Sequence, residues 1–335
     1  MRLLLLGGTE FVGRAVAEAA LAHGWDVTVF HRGRHAPVAG VRSLHGDRTA
    51  PGGLTALADG GPWDLVVDTW SAAPRAVRDT ARLLQDRADR YAYVSSCSVY
   101  TWPQPAGYTE EAPVVEGASA DADATDYARD KRGGELAVLD AFGTDRSLLV
   151  RAGLILGPYE NIGRLPWWLG RIARGGRVLA PGPRGLPLQY VDVRDLAQWT
   201  LDAADAGLDG AYNLVSPRGH TTMGELLDAC VTVTGSKAEL CWTDPDTVLA
   251  AGIAPWTGLP VWVPPDTDLH TTLHGADTSR AAAAGLRCRP VTETVADTWH
   301  WLSETDGVAP QRPDRPVPGL DGETEAMVLA AGERG

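Results

Sequence analysis

The first half of this chain alternates short apolar runs with longer stretches of helical spacing, and that alternation leaves few folds open to it. Leu3–Leu6 reads as a strand, and Arg14–His23 as a helix ending near Gly24. Val27–Phe30 and Leu65–Val67, closing on Asp68, read as strands, while Arg75–Asp86 has helical spacing. Tyr91–Ser95 is a further strand, Thr125–Ala141 a helix, and Ser147–Val150 a strand again. Strands that run apolar without a break are those covered by helices on both faces of a parallel sheet. The expected class is therefore α/β, with a doubly wound parallel sheet and a smaller C-terminal lobe.

After residue 150 the pattern loosens, with turn signals at Gly157-Pro158, Pro181-Gly182-Pro183 and Gly185. Residues 1–157 are expected to form the sheet domain. Residues 186–212 should return to it through a helix at Val191–Ala204. Residues 158–185 and 213–306 are assigned to the smaller lobe, and 307–335 to an extended tail that begins rich in Pro, Gly and charge.

Composition narrows the partners. Of 335 residues, 44% are hydrophobic and 22% charged, which suits a soluble globular protein. A formal net charge of −13 works against nucleic acid and anionic membrane, both polyanions. Cys97, Cys230, Cys241 and Cys288 show no CxxC spacing, so neither a zinc site nor a disulfide framework is expected, and a reducing cytoplasm fits. The eight histidines lack paired-ligand spacing, so no metal is expected. The Leu3–Leu6 run is too short for a signal peptide, and no stretch approaches the roughly 18 apolar residues of a membrane span.

Gly7-Gly8-Thr9-Glu10-Phe11-Val12-Gly13 follows the first strand and opens the first helix. Glycine permits the tight turn and the close approach of a pyrophosphate, while the helix N-terminus supplies donors and positive potential. Gly7 and Gly13 hold the outer positions, and Glu10 stands where many such loops have a middle glycine. This is the pattern of a dinucleotide-binding Rossmann domain; an ordinary glycine-rich turn is the alternative. The second strand ends in Phe30-His31-Arg32-Gly33-Arg34. A carboxylate there would favour NAD, whereas Arg32 and Arg34 suit the 2′-phosphate of NADP(H). Two solvated arginines on a loop are the alternative. Asp47, after the third strand, is a candidate to bond the adenine.

Tyr127 and Lys131 stand four apart in an expected helix and so project from one face. An ammonium beside a phenol favours the phenolate, which lets Tyr127 give a proton to a carbonyl oxygen or take one from an alcohol. Lys131 would also hold the cofactor ribose. Ser96 closes the strand Tyr91–Ser95 at the carboxyl edge of the sheet, where ligands bind. It is placed to orient the reacting oxygen.

These motifs resemble the extended and atypical short-chain dehydrogenase/reductase superfamily, in its NAD-dependent epimerase/dehydratase branch. The resemblance rests on GGTEFVG at 7–13, YVSSCSVY at 93–100, TEEAP at 109–113 and YARDK at 127–131. GPY at 157–159 and QYVDVRDLA at 189–197 extend it to roughly residues 1–300. It implies that Ser96, Tyr127 and Lys131 are catalytic. Gly7, Thr9, Glu10, Phe11, Val12 and Gly13 would then line the cofactor with Arg32, Arg34, Asp47 and Lys131.

Departures from the family pattern bear on the reaction. Dehydratases carry an Asp-Glu pair where this chain has Cys97 and Ser98, so elimination of water is not expected. Nucleotide-sugar enzymes often carry an arginine where this chain has Leu186-Pro187-Leu188; Arg151, Arg164 and Arg171 are possible substitutes. The leading expectation is an NADPH-dependent reductase of a carbonyl or a conjugated C=C or C=N bond. The alternative is a nucleotide-sugar epimerase with tightly bound NAD. A non-catalytic NADP sensor and an RNA-binding protein rank below both. Trp70, Trp102, Trp167 and Trp168 suggest an apolar or aromatic small-molecule substrate, with core packing as the alternative. Gly133 and Gly134 inside the catalytic helix invite close backbone approach, with a merely weakened helix as the alternative; related enzymes often dimerise through this helix, so the resemblance implies a homodimer.

Overall fold

A computed structural model describes residues 1–119, 121–122 and 126–332 of the chain, and divides it into two compact units. The first comprises Met1–Gly153, Val193–Val215 and Asp277–Arg287. The second comprises Leu154–Asp192, Ser216–Ala276 and Cys288–Gly335.

The first unit is built on a seven-stranded parallel sheet. In chain order its strands are β1 (Arg2–Leu6), β2 (Asp26–His31), β3 (Arg42–His45), β4 (Trp63–Asp68), β5 (Ala88–Ser96), β6 (Ser147–Ala152) and a last strand at Gly210–Leu214. Across the sheet they run Gly210–Leu214, β6, β5, β4, β1, β2, β3. The winding therefore reverses between β1 and β4, where loops at the carboxyl edge diverge and leave room for a ligand. Leu3, Leu4 and Leu5 are all fully buried, because helices cover both faces of β1. The helix α1 (Phe11–Ala22) packs against Val193–Asp205. Beyond the short α2 (Thr55–Ala58), α3 (Pro74–Leu84) packs against α4 (Tyr127–Phe142). The doubly wound α/β class is the observed one. The helix expected from Thr125 starts at Tyr127; Thr125 itself lies outside the described residues.

In α4 the two glycines have intrachain causes. A Cβ at Gly134 would lie 2.4 Å from the Tyr93 hydroxyl, and one at Gly133 would lie 2.7 Å from the Ala118 carbonyl oxygen. The close approach they permit is thus to β5 and to the loop before α4, which removes them as an argument for a dimer.

The second unit has its own core, with Trp168 and Trp262 fully buried among aliphatic side chains. Strands Gly176–Pro181 and Ala238–Thr243 pair in parallel there. Several segments differ from expectation: residues 154–157 and 186–192, expected in the sheet domain, belong to the second unit, and 213–215, expected in the smaller lobe, to the first. Residues 277–287, expected in the smaller lobe, belong to the first unit: the Asn213 Nδ2 donates to the Asp277 carbonyl at 3.1 Å, and the Arg280 guanidinium stacks on Tyr212 at 4.4 Å. The tail is not extended throughout, for Gly322–Gly332 is helical. Glu325 anchors that helix, accepting from Arg171 Nε at 2.6 Å and from the Leu179 amide at 3.0 Å. Neither of these last two placements is legible locally, since both depend on partners more than sixty positions away.

Candidate active site

The glycine turn lies between β1 and α1. Gly7 takes φ +95°, and a Cβ on Gly13 would fall 2.0 Å from the Gly7 carbonyl oxygen, so turn and helix touch backbone to backbone. Glu10, the N-cap, makes no side-chain cap, which leaves the first-turn amides of Phe11, Val12 and Gly13 without one. An uncapped helix end behind a glycine turn fits a pyrophosphate. Glu10 instead reaches toward the loop after β2, 3.9 Å from His35 Nε2.

That loop exposes Arg32 and Arg34. Both sit near Asp47, whose carboxyl lies below the usual carboxylate range, first through its bonds from Thr49 and then through the two arginines. The Asp47 Oδ1 accepts from the Thr49 amide at 2.9 Å and from its hydroxyl at 2.6 Å. The three side chains read as a cofactor set are thus neighbours at the carboxyl ends of β2 and β3.

Ser96, Tyr127 and Lys131 lie at the carboxyl edge of β5 and on α4. Asp126 caps α4, its Oδ1 accepting from the Arg129 amide at 2.9 Å, and so starts the helix at Tyr127. Tyr127 is 37% exposed, whereas Lys131 is buried. The Lys131 Nζ donates to the Val94 carbonyl at 2.5 Å and to the Trp70 carbonyl at 2.6 Å, and lies 4.7 Å from the Tyr93 ring centre. Tyr127 is near enough to interact electrostatically with the Tyr93 hydroxyl. Tyr93 itself is held far above the ordinary range, chiefly by burial and next by Asp68. Ser96, two residues beyond Val94, exchanges hydrogen bonds with Ser98: its Oγ accepts from the Ser98 amide at 3.1 Å and donates to the Ser98 Oγ at 3.1 Å. The chemistry available is a phenol at the open end and a buried ammonium one turn along.

Two buried ion pairs behind these residues were not singled out from sequence. Glu135, on α4, accepts from Arg151 on β6, from Ser95 at 2.7 Å and from Arg132 at 2.7 Å. Burial raises its carboxyl, but Arg151 brings it below the usual range. Arg48 donates to both oxygens of Asp68, at 2.6 and 2.7 Å. The position of Glu135, four past Lys131, was the available signal; nothing local marked Arg48.

Several expectations are corrected. Trp168 is fully buried, and its indole N–H donates to the Pro260 carbonyl at 2.7 Å, so it is core and not pocket lining. Trp167 packs edge-on against it at 4.7 Å, with Gly319 of the tail against its Nε1. The Trp70 indole N–H is bonded to the Ala73 carbonyl at 2.9 Å, and Arg48 stacks on the ring at 5.2 Å. Trp102, by contrast, is 48% exposed. Of the arginines considered as phosphate anchors, Arg151 and Arg171 are buried in pairs with Glu135 and Glu325. Arg164 stacks on Trp256 at 5.2 Å. Burial pushes the Cys97 thiol up to about 12, which leaves it inert. No described helix is long and apolar enough to cross a membrane.

Fold and site together define a protein of the short-chain dehydrogenase/reductase type. Residues 3–214 match the NAD dependent epimerase/dehydratase family, and the chain belongs to it. A UDP-glucose 4-epimerase of Corynebacterium glutamicum is 28% identical over 82% of this chain and 94% of its own. Among solved structures, the Bordetella bronchiseptica enzyme WbmH in complex with NAD+ superposes with a TM-score of 0.67 at 19% identity, covering 92% of this chain and 99% of that one. The UDP-glucuronic acid 4-epimerase from Bacillus cereus in complex with NAD gives 0.64 at 13% identity, covering 91% and 99%. These two likenesses concern the fold.

Proposed function

We propose that this chain is a nicotinamide-dinucleotide enzyme that moves a hydride to and from a hydroxyl-bearing carbon. The substrate class proposed is a nucleotide sugar and the net reaction an epimerisation, as its curated relative is named. The observation that carries the hydride-transfer reading is Lys131, whose buried Nζ is held by two backbone carbonyls one turn from Tyr127. When bound, the dinucleotide supplies a nicotinamide that accepts the hydride and returns it. Tyr127 takes the hydroxyl proton as the carbon is oxidised and gives it back on reduction. Lys131 favours the phenolate that this requires, and Ser96 holds the reacting oxygen. Gly7 and the first-turn amides of α1 would receive the pyrophosphate.

A second reading, an NADPH-dependent reductase, is favoured by one feature. Arg32 and Arg34 are exposed at the end of β2, where an NAD enzyme commonly has a carboxylate. Identifying the dinucleotide released on denaturing the purified protein separates the two. UDP-glucose and UDP-galactose should interconvert without added reductant, and Tyr127→Phe should reduce the rate by about 10²–10⁴-fold. Consumption of added NADPH with a ketone, enone or imine, and no sugar interconversion, would select the reductase instead.

A further inference from the structure

The catalytic lysine is held by a backbone carbonyl, and that carbonyl has a support of its own. Trp70 lies two residues past the end of β4, in a loop with no regular backbone partner for its amide. The amide instead donates to the Asp68 Oδ1 at 2.9 Å. The Trp70 carbonyl then accepts from Lys131 at 2.6 Å and from the Tyr93 hydroxyl at 3.2 Å. Asp68 is wholly buried and accepts from four donors. On Oδ1 these are Arg48 Nη1 and the Trp70 amide; on Oδ2 they are Arg48 Nη2 and the Tyr91 hydroxyl, the last at 2.6 Å. Arg48 is itself fixed by the Thr80 hydroxyl and the Ala76 carbonyl of α3, each at 3.0 Å. We infer that Asp68, locked by Arg48, is a positioning residue for Lys131: it orients the peptide whose carbonyl sets where the ammonium stands. The inference rests on the hydride-transfer reading above and adds to it a residue at the end of β4.

An ordinary buried salt bridge would stabilise the fold without reaching the site. Here the geometry distinguishes the two partners, for only Asp68 touches the Trp70 peptide backbone, while Arg48 touches Asp68 and the Trp70 ring. The ammonium lies over the Tyr93 ring, and the charged and titratable groups acting on Tyr93 include Asp68 and Arg48 behind Trp70 and Tyr127 and Glu135 on α4. Displacing the ammonium moves it out of place on the face of α4 that it shares with Tyr127, so hydride transfer should slow.

The test is the rate at which NAD+ is reduced on mixing the protein with UDP-galactose, followed by nicotinamide absorbance, together with the split between kcat and KM. Asp68→Ala should slow that reduction about tenfold or more, with KM for UDP-galactose little changed, because a displaced ammonium misplaces the reacting groups. Arg48→Met leaves a carboxyl on the Trp70 amide and should slow the reduction less than half as much, while melting curves should show both variants destabilised. Should Asp68→Ala not fold, Asp68→Leu serves, because it keeps the side-chain volume and offers the Trp70 amide no acceptor. An Asp68 variant that is not slowed, or an Arg48 variant slowed as much, overturns the inference and makes the pair merely structural. A Tyr127→Phe protein that reduces NAD+ as fast as the wild type sinks the hydride-transfer reading itself.

Discussion

Glu135 receives Arg151 on both carboxylate oxygens, at 2.9 and 3.1 Å, in the core beside the strand that ends in Ser96. The pair joins α4 to β6, and Ser95 ties the same carboxylate to β5. Glu135→Ala would leave a buried guanidinium without its anion, and removing one partner of a buried pair costs about 3–5 kcal/mol. Urea unfolding should show a loss of that size, with Glu135→Gln losing less. Because Tyr127 and Lys131 share this helix, hydride transfer should fall in the alanine variant as well.

Glycines inside helices predict opposite outcomes by location. A Cβ at Gly134 would push on Tyr93, and such overpacking costs about 1–3 kcal/mol. At Gly170, in the helix Arg164–Ala173, a Cβ meets nothing within 4 Å. Gly134→Ala should therefore lower the melting temperature, whereas Gly170→Ala should stabilise by about 1 kcal/mol through helix propensity alone.

Arg32 and Arg34 should discriminate between dinucleotides. Each charge-assisted hydrogen bond to a 2′-phosphate is worth about 1.5–3 kcal/mol. In the Arg32→Ala/Arg34→Ala double variant, NADPH affinity measured by nucleotide fluorescence should drop at least about tenfold, with NADH affinity nearly unchanged. An equal change for both nucleotides would remove the two arginines from phosphate recognition.

His274 in the second unit should make the protein sensitive to acid. Burial, aided by His270, lowers its imidazole from 6.5 to about 3, and its Nδ1 accepts from the Gln189 amide at 2.9 Å. The unfolded chain takes up a proton near 6.5 that the folded chain refuses until about 3. The stability contribution is thus complete above that upper value and shrinks as the pH falls from it toward the lower one. His274→Asn offers an amide oxygen to the same Gln189 N–H and has nothing to protonate. Its melting temperature should fall less than that of the wild type between pH about 7.5 and about 5.

What the amino-acid sequence determined by itself is whatever depends on neighbours a few positions apart. The apolar runs at Leu3–Leu6 and Tyr91–Ser95, the Gly7 turn and the spacing of Tyr127 and Lys131 are of that kind, and they carried the fold class and the outline of the candidate site. Tertiary structure alone decided which partners meet. Asp68 and Arg48 are 20 positions apart, and Trp70 and Lys131 are 61 apart; each pair is joined by the order of strands in the sheet. Arg151 and Trp168 look available in the sequence and are spent in the core, because burial leaves a charge or an indole N–H no choice but to find a partner within the chain. Crossovers in a parallel sheet bring such partners together at separations that no local periodicity encodes.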